Sequence, residues 1–250
     1  MRVLFISEWI KTTSTKMWWI LALVAAGFTV LLGIVPGILL SGLDESLGLS
    51  DPAAMAQLWS SLGGALVIAL ILGIVAMTGE YRHKTITDTF LTEPRRLHLV
   101  TAKAAVQAII GIAVAVTCVV LGVGAALALL PTQTHAPIDW ALVGEISVGV
   151  LVAFALYAVL GVAVGALINN QVVAIVIGLL WVVFIEPIVV GFLPDVGKWL
   201  PGGAASSILQ GTTASGADLL SPWLGGLLLL AYAAVFAVVG AQTTLRRDIT

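Results

Sequence analysis

The sequence predicts an all-α membrane protein with six transmembrane helices. Two features of its composition support this prediction: 60% of the 250 residues are hydrophobic and only 10% are charged, whereas soluble domains carry about 25% charged residues. The third observation is the length of the apolar stretches, because roughly 20 apolar residues cross a hydrocarbon core about 30 Å thick. We therefore expect residues 1–250 to form a single transmembrane domain with little room for a soluble one.

Six apolar stretches, separated by polar segments, are the candidate membrane helices. The first is longer than the roughly 7–15-residue core of a cleavable signal peptide, so we expect it to be retained. The stretches are Met17–Leu40, Met55–Thr78, Lys103–Leu130, Ala141–Ile168, Gln171–Leu193 and Trp223–Ala241.

The distribution of basic residues predicts the orientation. Cytoplasmic loops of membrane proteins retain Lys and Arg. With both termini inside, only Lys198 of the 11 basic residues lies outside, and 194–222 becomes an extracellular loop. The ten residues then placed in the cytoplasm are Arg2, Lys11, Lys16, Arg82, Lys84, Arg95, Arg96, Lys103, Arg246 and Arg247.

Residues 1–16 precede the first stretch and show a helical pattern of their own. Val3, Ile6 and Ile10 recur at spacings of three and four, whereas Glu8 is set off from them. This pattern is typical of an amphipathic helix that lies in the membrane interface. The alternative is a simple extension of the first membrane helix.

Several function classes find little support in the residues. The sequence lacks the GxxxxGK[ST] loop that binds nucleotide phosphates, so any ATP hydrolysis by that machinery requires a partner. It also lacks HExxH and paired intramembrane carboxylates, and its lone Cys118 excludes a cysteine-based metal site. An ion-coupled transporter and a non-transporting membrane scaffold or sensor remain as alternatives, although only Glu145 and Glu186 lie within the apolar stretches as candidate relay carboxylates.

The polar segment 79–102, between the second and third stretches, is the most informative part of the sequence. Thr85 can cap a short helix, with Asp88 three residues later, and Pro94 stops it. The result is a predicted cytoplasmic helix of about two turns, flanked on both sides by charged residues.

This short helix carries a small apolar face. Ile86, Phe90 and Leu91 project from it at spacings of four and five. An apolar face of this size, ringed by charges, suits docking into a groove on a cytoplasmic partner. Alternatively, the helix rests on the bilayer surface.

The same segment resembles the first cytoplasmic loop of ABC type-2 transporter permeases. The residues that carry the resemblance are E-Y-R-H-K-T-I-T from Glu80, then T-E-P-R-R, then Lys103. The usual family form is E-[YF]-R-x-G-T-[IL], a Pro-Arg pair and a Lys that opens the third helix. Lys84 replaces the common Gly, which bears on the turn into the short helix. The I-E-P and W-L-P-G elements within 181–202 also resemble the outer end of that family's fifth helix.

The resemblance implies the permease subunit of a bacterial ABC exporter in the plasma membrane. It implies a second permease chain, in a homo- or heterodimer within the lipid membrane, and two copies of a cytoplasmic ABC ATPase that bind ATP and Mg. No cofactor, catalytic residue, metal site or nucleic-acid partner is expected for this chain itself. Segment 79–102 becomes a coupling helix, with ATPase-coupling residues Glu80, Arg82, Lys84, Thr85, Ile86, Asp88, Phe90, Pro94 and Arg95.

The cargo is predicted only by chemical class. Members of the resembled family export drugs, antibiotics, lipids or polysaccharides, and a few carry other solutes; for this chain we expect a drug, an antibiotic, a peptide or a lipid. The predicted membrane helices are built from Leu, Val, Ile, Ala and Gly with few charges, which favours an apolar or amphipathic cargo.

Glu186 is the predicted transport-pathway residue. Gln171 to Ile185 is too short for a full crossing, and Pro187 disfavours helical backbone at Glu186. We therefore expect the fifth helix to break there, with the segment from Pro187 to about Leu200 folded as a re-entrant hairpin. Glu186 would then face the interior at the outer mouth of the pathway. The alternative is a carboxylate that snorkels to the outer headgroups.

Overall fold

The computed structural model describes residues 2–43, 49–82, 96–130, 135–168, 170–210 and 219–246. Within these ranges the protein is almost entirely helical, and none of the described residues forms a strand. The α-helices are α1 Arg2–Thr13, α2 Met17–Phe28, α3 Val35–Leu43, α4 Pro52–Ser60, α5 Leu66–Arg82, α6 Arg96–Leu129, α7 Trp140–Leu167, α8 Gln171–Leu180, α9 Glu186–Phe192, α10 Pro194–Gly197, α11 Pro201–Ile208 and α12 Pro222–Arg246.

Six helical spans among the described residues are long and apolar enough to cross a membrane, which confirms the predicted number. Some are built from two helices joined by a π or 3₁₀ turn. The spans are Met17–Leu39, Pro52–Arg82, His98–Leu129, Trp140–Leu167, Gln171–Phe192 and Pro222–Gly240.

Short polar side chains fix where three of these spans begin. The carboxylate of Asp51 accepts the Ala53 N–H ahead of the second span, and that of Asp139 accepts the Ala141 N–H ahead of the fourth. The side-chain oxygen of Asn170 accepts the Val172 N–H ahead of the fifth. These caps satisfy amide groups that have no partner within the first helical turn.

The second and fourth spans form the centre of the bundle. In their most apolar stretches 67% of the second and 61% of the fourth are buried, against 17% of the fifth. A Cβ atom at Gly73 would collide with the Ala158 carbonyl, and one at Gly161 would collide with the Leu70 carbonyl. The two backbones therefore touch at these glycines, and a Cβ atom at Gly165 would likewise crowd Ile74 and Met77 of the second span.

The predicted break of the fifth helix at Pro187 is wrong. Glu186 has α-helical angles (φ −64°, ψ −46°), and α9 continues to Phe192. The reason is a π turn at Trp181–Ile185, in which the Glu186 N–H donates to the Trp181 carbonyl. We infer that this wider turn rearranges the hydrogen bonds just ahead of the proline, so that the helix can continue.

The first span repeats this arrangement. A π turn at Thr29–Ile34 precedes Pro36, as the π turn at Trp181–Ile185 precedes Pro187. In each case the proline is the second residue after the π turn. The chain therefore accommodates both intrahelical prolines in the same way.

After the fifth span, α10 and α11 form a helical hairpin over residues 194–208 that packs back against the bundle. The Tyr232 hydroxyl, in the middle of the sixth span, donates to the Trp199 carbonyl (3.0 Å). A Cβ atom at Gly149 of the fourth span would collide with the Ile208 carbonyl. Part of the segment 194–222 is thus buried, and residues 187–192 of the predicted re-entrant hairpin continue the fifth span instead. A re-entrant course through the membrane stays a prediction.

Helix α1 is separate from the first span. A turn at residues 14–16 separates α1 from α2, which excludes a simple extension of the first membrane helix. Val3, Ile6 and Ile10 are exposed, whereas Glu8 is buried against the bundle. The apolar stripe is therefore free to face lipid, as an interfacial helix requires.

Candidate functional site

Four charged side chains join α1 to the bundle; we call Glu8, Lys11, Glu80 and Lys103 the α1 cluster. Glu8 and Lys11 lie on α1, Glu80 lies in the last turn of α5, and Lys103 lies in the second turn of α6. Lys103 pairs with both carboxylates, at 2.9 Å from Glu80 Oε1 and in a close ion pair with Glu8 Oε2. Lys11 also pairs with both, at 2.7 Å from Glu8 Oε1 and 2.9 Å from Glu80 Oε1.

The α1 cluster is charge-balanced, and most of it is buried. The side chains of Glu8, Glu80 and Lys103 are 3%, 8% and 4% exposed, whereas that of Lys11 is 50% exposed. Buried charges of this kind are tolerated when each has an opposite partner, and removal of one partner is strongly destabilising. Lys103 is therefore the central member, because it is the buried amine shared by both carboxylates.

The electrostatics of α1 follow from these pairs. Burial alone would raise the pKa of Glu8, but the charges of Lys103 and Lys11 and their hydrogen bonds outweigh it and lower the pKa. Burial would likewise lower the pKa of Lys11, but hydrogen bonds to Glu8 and Glu80 outweigh it and raise the pKa. Both groups are thus held in their charged forms at neutral pH.

A cavity of about 470 Å³ lies beside the α1 cluster. All four members of the cluster line it, together with polar residues of α1 and α6 and apolar residues of the first and second spans. The remaining lining residues are Thr12, Thr15, Met17, Trp18, Leu72, Val75, Ala76, Gly79 and Gln107.

The structure describes two of the predicted ATPase-coupling residues. Glu80 belongs to the α1 cluster, and Arg82 ends α5 with Nη1 3.4 Å from Gln171 Oε1 at the start of the fifth span. The other seven lie outside the described residues: Lys84, Thr85, Ile86, Asp88, Phe90, Pro94 and Arg95. The α1 cluster therefore stands at both ends of the predicted coupling segment 79–102, since Glu80 lies at its start and Lys103 directly follows its end.

The sequence interpretation did not assign a role to Glu8 or Lys11. Glu8 lies on the polar side of the predicted interfacial helix, and Lys11 and Lys103 count among the cytoplasmic basic residues, but the sequence predicts no ion pair for any of them. One signal could have found the pairing: Lys103 is a charge within an apolar stretch and so requires a buried partner. Local periodicity does not identify that partner, which lies 95 residues away in the chain.

Glu186 forms a second buried site, on the fifth span. It is 3% exposed, and its Oε1 accepts the backbone N–H of Gly202 in the first turn of α11. Leu200, at the N-cap position of α11, provides no side-chain cap, so Glu186 supplies that function from another helix. A carboxylate at a helix N-terminus is stabilised by unpaired amides and by the helix dipole. Within the part of the chain that the structure describes, its Oε2 has no hydrogen-bond partner.

An apolar cavity of about 390 Å³ lies among the second, fourth, fifth and sixth spans. Tyr232 and Trp181 are the lining residues that carry a polar side-chain atom, and the Tyr232 hydroxyl already donates to the Trp199 carbonyl. The cavity is lined by Leu70, Leu160, Val164, Leu167, Ile168, Ile177, Gly178, Trp181, Val182, Leu200, Pro201, Tyr232 and Phe236.

Comparison with known families decides what kind of protein carries these sites. A family described as "ABC-2 family transporter protein" matches residues 4–185, from α1 to the end of the fifth span's π turn. The chain belongs to the ABC-2 transporter family. This ABC-2 protein is thus a multi-pass membrane protein and a permease of an ABC transporter, the component that associates with an ABC ATPase rather than hydrolysing ATP itself. Comparison with individual curated proteins gave no match.

One of the two buried sites of this ABC-2 permease lies inside the matched region, and the other lies outside it. It contains all of the α1 cluster and the predicted coupling segment. It ends one residue before Glu186, so that the hairpin α10–α11 and the sixth span lie beyond it.

Proposed function

We propose that this permease is the membrane subunit of an ATP-driven exporter that moves an apolar or amphipathic cargo out of a bacterial cell. The observation that carries the proposal is the family match, which covers most of α1, the first four spans, the coupling segment and the fifth span as far as Ile185. The apolar cavity of about 390 Å³ among four spans supports the chemical class of the cargo.

We further propose that the segment around residues 83–95 receives the ATPase and that the α1 cluster passes its movement to the spans. Glu80 and Lys103 flank this segment, and both are ion-paired to Glu8 on α1 directly or through Lys11. A displacement of the segment would therefore move α1, the second span and the third span together. Two ATPase copies and a second permease chain complete the proposed assembly.

The test of this function is transport with the partner present. The permease is coexpressed with an ABC ATPase, for example one encoded beside it, and reconstituted in vesicles. We expect the wild-type complex to move an amphipathic dye when ATP is supplied. We expect a Phe90→Ala, Ile86→Ala double variant to insert normally but to lose most of this dye transport, because buried apolar anchors contribute roughly 1–3 kcal/mol each. Full coupled transport by the double variant would reject this segment as the coupling element.

The orientation proposed is both termini inside, which follows from the distribution of basic residues. Single cysteines are introduced at Lys84 and at Ala214 in a background with Cys118 replaced. We expect an impermeant thiol reagent to label the Ala214 site in intact cells and not the Lys84 site. Labelling of the Lys84 site from outside would overturn this topology.

Glu186 is proposed to lie on the transport pathway. Gly202, which donates to its carboxylate, lines a cavity of about 470 Å³ that also includes Ser60, Ser61 and Tyr157. We expect Glu186→Gln to change the rate of cargo release or its pH dependence while the hairpin stays folded, because the amide oxygen still accepts from Gly202. Unchanged transport across pH would leave Glu186 with a structural role alone.

A further inference from the structure

The cavity beside the α1 cluster contains two hydrogen-bond acceptors that have no partner among the described residues. Glu80 Oε2 and Gln107 Oε1 are both buried and unpaired, although Glu80 Oε1 and the Gln107 amide nitrogen are engaged with Lys103 and Thr12. The parent residues are 7% and 2% exposed, and both line the cavity. Unpaired buried acceptors are costly, so this site favours a ligand that brings N–H or O–H donors.

The charges around the cavity define the ligand further. Glu8 and Glu80 are balanced by Lys11 and Lys103, so a bare anion or a bare cation would disturb a neutral set. Lys11 is half-exposed and uses two of its three N–H donors on carboxylates, which leaves one for an anionic oxygen at the rim. The arrangement therefore matches a zwitterion, with the ammonium inside and the anion at the rim.

The remaining walls and the position of the cavity favour a lipid. Trp18, Leu72 and Val75 supply an apolar side to the cavity. The neighbouring α1 exposes Val3, Ile6 and Ile10 on the face opposite Glu8, as a helix at the membrane surface does. A molecule that reaches this cavity from the membrane comes from the headgroup region.

We propose that this cavity binds the headgroup of a primary-ammonium phospholipid, of the phosphatidylethanolamine class, from the leaflet on the α1 side. The ammonium donates to Glu80 Oε2 and Gln107 Oε1, the phosphate faces Lys11, and the upper acyl region packs on Trp18 and Leu72. The bound lipid would stabilise the arrangement of the α1 cluster. This inference is independent of the cargo and of the ATPase.

Successive N-methylation of the headgroup provides a direct test, because it removes N–H donors one at a time while the positive charge stays. Purified permease is titrated with short-chain phosphatidylethanolamine, its monomethyl and dimethyl forms, and phosphatidylcholine, and the dissociation constant is measured by microscale thermophoresis. We expect affinity to fall along the series, by roughly tenfold or more from the first lipid to the last, as for the loss of charge-assisted hydrogen bonds. Equal affinity for all four lipids would overturn the proposal.

Two further binding measurements test where the lipid binds and which charge on its headgroup is recognised. Gln107→Leu, similar in size but without the acceptor, should reduce the preference for the ammonium lipid, whereas the control Gln57→Leu in another cavity should not. Anionic phosphatidylglycerol should bind more weakly than phosphatidylethanolamine. A preference that survives Gln107→Leu, or tighter binding of phosphatidylglycerol, would reject this site. If Gln107→Leu does not fold, the lipid series on the wild-type protein still decides the headgroup.

Discussion

In the α1 cluster two buried carboxylates face two amines, whereas at the Glu186 site a single buried carboxylate faces the backbone N–H of Gly202. The first arrangement ties three separate helices with side-chain ion pairs. In the second arrangement, the carboxylate on the fifth span holds the hairpin α10–α11 by accepting a hydrogen bond from the N-terminus of α11. The comparison indicates that the α1 cluster depends on its buried charges, while the Glu186 site depends mainly on a hydrogen-bond acceptor.

The largest effect is expected for Lys103→Met, which leaves Glu8 and Glu80 without their buried amine. We expect a loss of about 3–5 kcal/mol in the free energy of unfolding in detergent, as for a broken buried ion pair. The matched control is Lys11→Met, in which the amine removed is half-exposed; we expect a loss of no more than about 1 kcal/mol there. Equal losses in the two variants would show that burial does not distinguish the two lysines.

A smaller effect is expected at Glu186. Glu186→Leu leaves the Gly202 N–H without its acceptor and should cost about 1–3 kcal/mol, measured by thermal unfolding. Glu186→Gln retains an acceptor and should stay close to the wild type in stability. If Glu186→Gln were as destabilising as Glu186→Leu, the negative charge itself would hold the hairpin, and the contrast with the α1 cluster would fail.

The smallest expected effect is the pH dependence of α1. Because pairing lowers the pKa of Glu8 below its ordinary value of 4.5, its stabilisation is fully present above pH 4.5 and is lost as the pH falls through the lowered value. The raised pKa of Lys11 acts in the opposite window: its contribution is present below 10.5 and is lost as the pH rises through the raised value.

The loss of Glu8 stabilisation at low pH is checked by thermal unfolding. The unfolding midpoints of the wild type and of Glu8→Gln are measured at a series of pH values from 7 downwards. The stability difference between the two proteins should shrink as the pH falls below 4.5. A difference that stays constant to low pH would contradict the assignment of this window to Glu8.

The sequence was sufficient for the number of spans because each is a long apolar run bounded by recognisable polar residues. Asp51, Asp139 and Asn170 cap helices close to where the apolar pattern begins. The sequence misled at Pro187, since proline usually stops a helix and a π turn that accommodates it leaves no clear sign in hydrophobicity.

The α1 cluster and the Glu186–Gly202 contact were not predictable in the same way. Each joins elements that are distant in the chain, and local patterns identify only that a buried charge needs a partner. Lys103 shows this limit most clearly, because its charge marked a site in advance but only the packing of α1 against α6 identified Glu8. Phe90 lies outside the described residues, so its role in coupling stays a prediction.

The measurement that tests the account most directly is the amount of cargo moved per ATP hydrolysed in vesicles that contain the permease and its ATPase. Glu80→Gln and Glu186→Gln are compared with the wild type, because each exchanges a buried carboxylate for an amide of the same shape. We predict that Glu80→Gln retains the ATPase in the complex but lowers this ratio, since the α1 cluster links the coupling segment to the spans. An unchanged ratio in Glu80→Gln would contradict that link.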